Sequence, residues 1–169
     1  MTSPAPGQPG PTTAPPVRII EGQAASERAT KALAQYFAEL DERFAGGFDP
    51  ALVEAADPED VTPPHGDFLL LTELGTGKLL GCGGVRKLPS GDIELRRMWL
   101  VPDARGRGLG RFLLRALENR ARALGGTRLV LSANEALVEA LALYRSAGYT
   151  PTEPFEDNPY VQVFLGKDL

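Results

Sequence analysis

The chain predicts an α/β (α+β) fold with about seven strands and about four helices around one core. Three observations carry that expectation. Its 169 residues, 43% hydrophobic and 24% charged, suit one globular domain that buries a core without staples. Apolar periodicity switches along the chain, from helical spacing near the start to strand spacing in the middle, and then alternates between the two. Gly- and Pro-rich turns separate the segments, giving the order β-α-(α)-β-β-β-α-β-α-β-β.

Residues 1–16, MTSPAPGQPGPTTAPP, have no face to bury and read as a disordered tail, with the domain occupying 17–169. Val17 to Ile20 is a first strand. Ser26 caps a helix running to about Phe44, marked by Ala29, Leu33, Tyr36, Phe37 and Leu40 and ended at Gly46-Gly47. Ala51 to Ala56 forms a short helix. Strands follow at Phe68 to Leu74, Lys78 to Leu88 and Ile93 to Val101, joined by tight turns. Leu109, Leu113, Ala116, Leu117, Ala121 and Leu124 mark an amphipathic helix stopped by Gly125-Gly126. Arg128 to Ser132 is a strand, Ala136 to Ala147 a helix closed by Gly148, and Tyr149 to Glu153 and Val161 to Leu165 are the last strands.

Composition removes several function classes. A net charge of −4 argues against general nucleic-acid binding. No apolar run approaches the ~20 residues that span a bilayer, and no secretory signal is visible. The single cysteine, Cys82, excludes an internal disulfide and fits a reducing cytoplasm. Within GCGG in an apolar strand, it reads as a buried structural thiol rather than a nucleophile. His65 stands alone, so no metal cluster is expected. Charge is segregated: ten acids and one basic residue, Arg43, between Glu39 and Glu73, against seven arginines and one acid, Glu118, between Arg105 and Arg128.

The segment ELRRMWLVPDARGRGLGRFLLRALE, residues 94–118, carries the chemistry. A strand runs into Arg105, Gly106, Arg107, Gly108, Leu109 and Gly110, and a helix follows at once. Glycine backbone approaches an anion closely, and the first helix amides point outward unpaired. With the helix dipole they suit a pyrophosphate, and Arg105, Arg107 and Arg111 add charge. A Walker loop would end in Gly-Lys-Ser or Gly-Lys-Thr, which is absent. A dinucleotide fingerprint would be Gly-x-Gly-x-x-Gly with a later acid, whereas the spacing here is Gly-x-Gly-x-Gly and the next strand ends without one.

Arg105-x-x-Gly108-x-Gly110 before an amphipathic helix resembles the pyrophosphate motif of the GNAT superfamily of N-acyltransferases. LALYRSAGY, residues 141–149, resembles that family's second signature. YFAELDERF, RMWLVP and NPY are similar to a bacterial subgroup. The resemblance covers residues 17–169 in element order. It implies a mixed, mostly antiparallel sheet splayed in the middle, with acetyl-CoA as co-substrate, no metal, a cytoplasmic setting and room for a homodimer. Met98 and Leu100, flanking Trp99, would pair with the pantetheine arm. The amides of Arg107, Gly108, Leu109 and Gly110 would hold the pyrophosphate. Trp99 has a second reading as core packing.

The implied reaction is direct attack of an amine on the thioester in a ternary complex. Glu94 stands where the family often places a base, and strand alternation puts it on the face of Met98 and Leu100 unless a bulge intervenes. Its other reading is a solvent-facing acid at a strand end. Tyr144 stands at the family's general-acid position; its ring can also pack on the sheet. The asparagine common seven residues before that tyrosine is replaced by Leu137, so Asn134 either takes over a cofactor contact or only caps the helix. The acceptor would sit between Tyr36 to Asp49 and FEDNPY, residues 155–160, whose acids favour a cationic or polar amine on a small molecule or peptide. Retention of Glu94 and Tyr144 favours an enzyme over the alternative, a non-catalytic acyl-CoA sensor or scaffold.

Overall fold

Short strands with alternating burial assemble into one open sheet in the computed structural model, which describes residues 16–53 and 58–169. The strands are β1 (Val17–Ile20), β2 (Gly66–Glu73), β3 (Leu79–Lys87), β4 (Ile93–Leu100), β5 (Arg128–Ala133), β6 (Thr150–Pro151) and β7 (Val163–Asp168). Their spatial order is β1-β2-β3-β4-β5-β7-β6, and only the β4–β5 pair is parallel. Three α-helices flank the sheet: α1 (Glu27–Arg43), α2 (Leu109–Ala123) and α3 (Val138–Ser146). The fourth helix expected from Ala51 to Ala56 is not seen as such. Pro50–Leu52 forms a 3-10 turn, and 54–57 lie outside the described residues. The proposed tail also lies outside them, apart from Pro16, whose carbonyl accepts the Leu74 N–H at 2.9 Å.

Each helix is explained by its ends and its apolar stripe. Ser26 caps α1 by accepting the Ala29 N–H at 3.0 Å. Gly108, in the left-handed conformation, stands before the first turn of α2, and the Gly125 and Gly126 amides close its far end on Arg122 and Ala121. Leu113, Leu114 and Leu117 of α2 pack on one sheet face with Val85, Leu95 and Leu129. Gly83 lets α2 lie close there: a Cβ would stand 2.6 Å from Leu117 Cδ1 and force that leucine to shift. On the other face α1 lays Ala29 and Ala32 against Phe68, Leu70, Cys82 and Trp99.

Buried charge is paired, as its desolvation demands. Asp67, fully buried, accepts from the Gly22 and Phe68 amides and from Arg120 Nε at 2.6 Å. Glu118 accepts from Tyr149 Oη and Lys167 Nζ, both at 2.9 Å, and so ties α2 to β7. Among the described residues no helix is long and apolar enough to cross a membrane.

Two irregularities of β4 shape the site. Its parallel pairing with β5 is limited to Ile93 with Leu129 and Glu94 with Val130. Beyond Glu94 the strands part, while β4 stays paired to β3 as far as Leu100. The second irregularity is a bulge: Cys82 faces Trp99 and Gly84 faces Arg96, so Arg97 and Met98 together oppose Gly83. Arg97 takes φ 53°, the left-handed region that non-glycine residues seldom enter.

Candidate active site

The parting of β4 from β5 opens a cleft with two adjacent cavities. The first, about 440 Å³, is lined by Met98, Trp99, Leu100, the loop residues Arg105, Gly106, Gly108, Gly110 and Arg111, and Leu143 and Tyr144 of α3. The second, about 130 Å³, lies under α1 and the 155–161 segment and takes in Glu94, Arg96 and Arg97. Tyr36, Leu40, Met98, Leu137, Ala140 and Tyr144 line both, so they mark the junction.

The first cavity has the features of an anion-ended channel. Gly106 and Gly108 adopt φ 76° and 75° with open space where a Cβ would be. Phe112 N–H is the amide that first closes back onto the loop, at 3.2 Å from the Gly108 carbonyl, so the preceding helix amides lack an i−4 partner. Gly110 serves packing instead: a Cβ there would stand 3.2 Å from Leu143 Cδ2. Arg105 turns back from the loop, donating from Nη2 to the Leu100 carbonyl at 2.9 Å and to Glu39 at 2.6 Å. Arg111 donates to Ser146 Oγ at 2.7 Å. Arg107 and Leu109 do not line the channel through their side chains, and Leu109 is core. Their predicted contribution was through the backbone.

Trp99 is 6% exposed and packs with Ala29 and Ala32, while its Nε1 donates to Glu39 at 3.2 Å. The ring is therefore core packing, and it also edges the channel. Glu39 had no role in the sequence reading. An acid on an amphipathic helix is ordinarily solvated, and nothing local marks one that bridges Trp99 and Arg105.

Tyr144 lies at the junction, 6% exposed, with its ring edge-on to Tyr149 at 5.9 Å. Burial, helped by neighbouring Tyr36, holds its phenol well above the ordinary tyrosine range. Tyr36 itself is pushed up to about 12 by burial, against the pull of Arg97. Two protonated phenols thus face the point where the cavities meet.

Glu94 departs from the expected placement. The bulge at Arg97 reverses the alternation of β4, so Ile93 and Leu95 share the α2 face with Met98 and Leu100. Glu94 lies opposite Arg86 on the α1 face, 3% exposed, lining the second cavity and not the first. It accepts from Arg86 Nε at 2.6 Å, with Arg96 Nε at 3.7 Å. Burial raises its carboxyl despite these arginines. Glu156, which no local signal singles out, lines the same cavity and accepts the Ser132 hydroxyl.

Asn134 is likewise on the second cavity rather than the channel. Its Nδ2 donates to the Tyr160 carbonyl at 2.6 Å and its Oδ1 accepts the Ala136 N–H at 2.8 Å. Both ends of the amide are committed to the turn before α3, short of the helix start, whose cap residue Leu137 has no side-chain bond, so Asn134 orders the turn and does not cap the helix. The two segments expected to flank an acceptor line one cavity, but most of their acids do not. From 36–49 the cavity takes Tyr36, Phe37, Leu40, Phe44 and Phe48, while Asp41, Glu42 and Asp49 lie off its wall. Among the described residues no group of three or more His, Cys, Asp or Glu could hold a metal ion.

Comparison with known proteins gives this geometry a context. Residues 28–149 match the model of the Acetyltransferase (GNAT) family. An uncharacterized N-acetyltransferase of Schizosaccharomyces pombe is 34% identical over 60% of this chain, and the match spans 62% of that relative. The IAA acetyltransferase of Azospirillum brasilense is 34% identical over 82% of this chain and 91% of its own. Among solved structures, a GNAT-family acetyltransferase from Staphylococcus aureus superposes with TM-score 0.73 at 16% identity, covering 90% of this chain and 99% of that one. The yncA acetyltransferase from Salmonella typhimurium, solved with acetyl-CoA, gives TM-score 0.63 at 19% identity over 90% and 94%.

Proposed function

The chain belongs to the Acetyltransferase (GNAT) family, and from that membership we propose that it transfers the acetyl group of acetyl-CoA to an amine nitrogen within a ternary complex. The observation that carries the reading is the junction at Tyr144, where the glycine-loop channel meets the acceptor cavity. The residues fit the co-substrate. Gly106 and Gly108 leave backbone space beside an anion, the first amides of α2 face it, and β4 offers unpaired backbone on its β5 side from Arg96 onward.

Acetyl-CoA supplies the thioester. The acceptor nitrogen forms a bond to the acetyl carbon, the C–S bond breaks, and the sulfur leaves as thiolate. Burial keeps the Tyr144 phenol protonated, so its hydroxyl is available to hydrogen-bond the developing thiolate. The amine must lose a proton, and two carboxylates line its cavity. Glu94 remains the proposed base through its raised carboxyl, with Arg86 holding the ion in place. Glu156, held by one hydroxyl, is the better exposed route for a proton relayed by water.

The test is thiol release from acetyl-CoA against a panel of amines, with thermal stabilisation by acetyl-CoA, NAD and ATP measured alongside. Stabilisation by acetyl-CoA and turnover with at least one amine are expected. Stabilisation by NAD alone would overturn the loop assignment. Tight acetyl-CoA binding with no turnover on any amine would leave a non-catalytic acyl-CoA binder.

A further inference from the structure

The second cavity holds more positive charge than a site for a simple amine needs. Arg96 and Arg97 are adjacent in sequence, and in a regular strand they would point to opposite faces of the sheet. The bulge places both on the α1 side. Arg96 lies opposite Gly84 on that face, and Arg97 stands over the Phe37 ring of α1, 5.1 Å from its centroid. Bringing them together costs the backbone a left-handed arginine.

Their hydrogen-bonding capacity is largely unspent. Arg96 Nη1 is buried with no hydrogen-bond partner, and Glu94 is 3.7 Å from its Nε. Among the described residues Arg97 makes no ion pair or side-chain hydrogen bond; its side-chain partner is Phe37. The carboxylates of the cavity are engaged elsewhere, Glu94 by Arg86 and Glu156 by Ser132. Arg96 shares the one Glu94 carboxylate with Arg86, which holds it more closely, Arg97 has no ion pair among the described residues, and two partly buried guanidinium groups side by side repel. An occupant bringing its own anion removes both penalties.

We propose that Arg96 and Arg97 hold the carboxylate of the acceptor, which is therefore an amine of the amino-acid class, with its apolar body against Phe37, Phe44, Phe48 and Tyr160. This rests on the acetyltransferase reading for the amine and on the arginine pair for the carboxylate. A guanidinium fork matches a carboxylate bidentately, which lysine would not do. The aromatic wall is continuous: Phe37 stacks on Phe48 at 5.5 Å, and Phe48 meets Tyr160 at 4.8 Å.

The experiment compares amines that differ only in the carboxylate: the protein L-amino acids against their decarboxylated counterparts, such as L-phenylalanine against phenethylamine, by acetyl-CoA thiol release. The best-used acid-bearing amine is expected to exceed its counterpart by at least about 100-fold in kcat/KM, the scale of truncating a buried charge pair. Arg97→Asn should cut that ratio at least tenfold, and Arg97→Lys should restore part of it. Asparagine accepts the left-handed conformation, so the fold is retained, and a general loss of structure would lower both amines without moving their ratio. Binding of L-phenylalanine and 3-phenylpropionate, measured by calorimetry without acetyl-CoA, separates the two readings. Carboxylate binding that disappears in Arg97→Asn, with no turnover on any amine, would keep the anion site and remove acetyl transfer. Turnover that is equal or better without the carboxylate would keep acetyl transfer and overturn the anion site, as would failure of every carboxylate both to bind and to be preferred.

Discussion

The two cavities share β4 and Tyr144, yet they are built on different principles. The channel is made largely of backbone: a glycine loop, the first turn of a helix and a strand edge left open where β5 departs. The second cavity, proposed for the acceptor, is made of side chains brought from α1, β4, β5 and the segment before β7. A backbone site binds what every member of a chemical class has in common. A side-chain site can be rewritten residue by residue without disturbing it. The difference teaches where to look for generic binding and where for specificity in this molecule.

The sharpest way to break the comparison is Gly108→Asp. A carboxylate at that loop position meets the pyrophosphate with like charge, so acetyl-CoA affinity should fall about 1,000-fold, consistent with several kcal/mol for such a juxtaposition. Binding of 3-phenylpropionate should be unchanged, because Gly108 lies off the acceptor cavity. Calorimetry with each ligand reads both. Equal losses on the two sides would show that the cavities are not separable.

Tyr144→Phe tests the junction. Ring packing stays and the hydroxyl goes, so kcat should drop about 100-fold, ~2.7 kcal/mol, with acetyl-CoA affinity nearly constant. The pH profile sharpens the point. A phenol whose acidity is raised keeps its proton to higher pH, so the acid form persists as the solution becomes alkaline. Wild-type kcat should therefore rise as the acceptor amine deprotonates and show no descending limb below about pH 10, the ordinary tyrosine value. A fall with an apparent pKa near 8 would assign the acid to another group.

The smallest effect is expected at Cys82, behind the acceptor wall. Its thiol is fully buried, pushed up to about 12 by burial and placed 3.5 Å from the Arg97 carbonyl. Cys82→Ala should leave kcat within about twofold and cost about 1 kcal/mol of stability from lost packing. The native thiol should not react with an aromatic disulfide reagent until the protein unfolds. Rapid modification with loss of activity would reopen the covalent route.

The same contrast explains what could be read from the sequence. The glycine loop and the helix behind it are contiguous, and their conformation follows from residue types at fixed spacing. The succession of strands and helices along the chain was legible from turns and periodicity, because Pro-Ser-Gly-Asp and the Gly-rich stops mark its breaks. The face of Glu94 was not. It depends on a bulge at Arg97, and arginine carries no mark of a positive φ as glycine or asparagine would. A usable signal was present in ELRRMWL: regular alternation would turn one of two consecutive arginines into the apolar α2 face, which a bulge avoids. Glu39 and Glu156 gave none, because each acts across a long sequence separation, Glu39 on Trp99 and Arg105, Glu156 on Ser132.

The bulge also constrains how this segment can change over generations. Before it, odd-numbered residues of β4 face α2; after it, even-numbered ones do. Replacing a side chain alters one wall of one cavity. Deleting a single residue at 97 or 98 would remove the bulge and restore plain alternation, keeping Trp99 toward α1 and Leu100 toward α2 while taking one side chain out of the strand. The extra residue is therefore a removable one: the strand can lose it and keep every other side chain on its face, and what disappears is the pairing of two arginines on one wall.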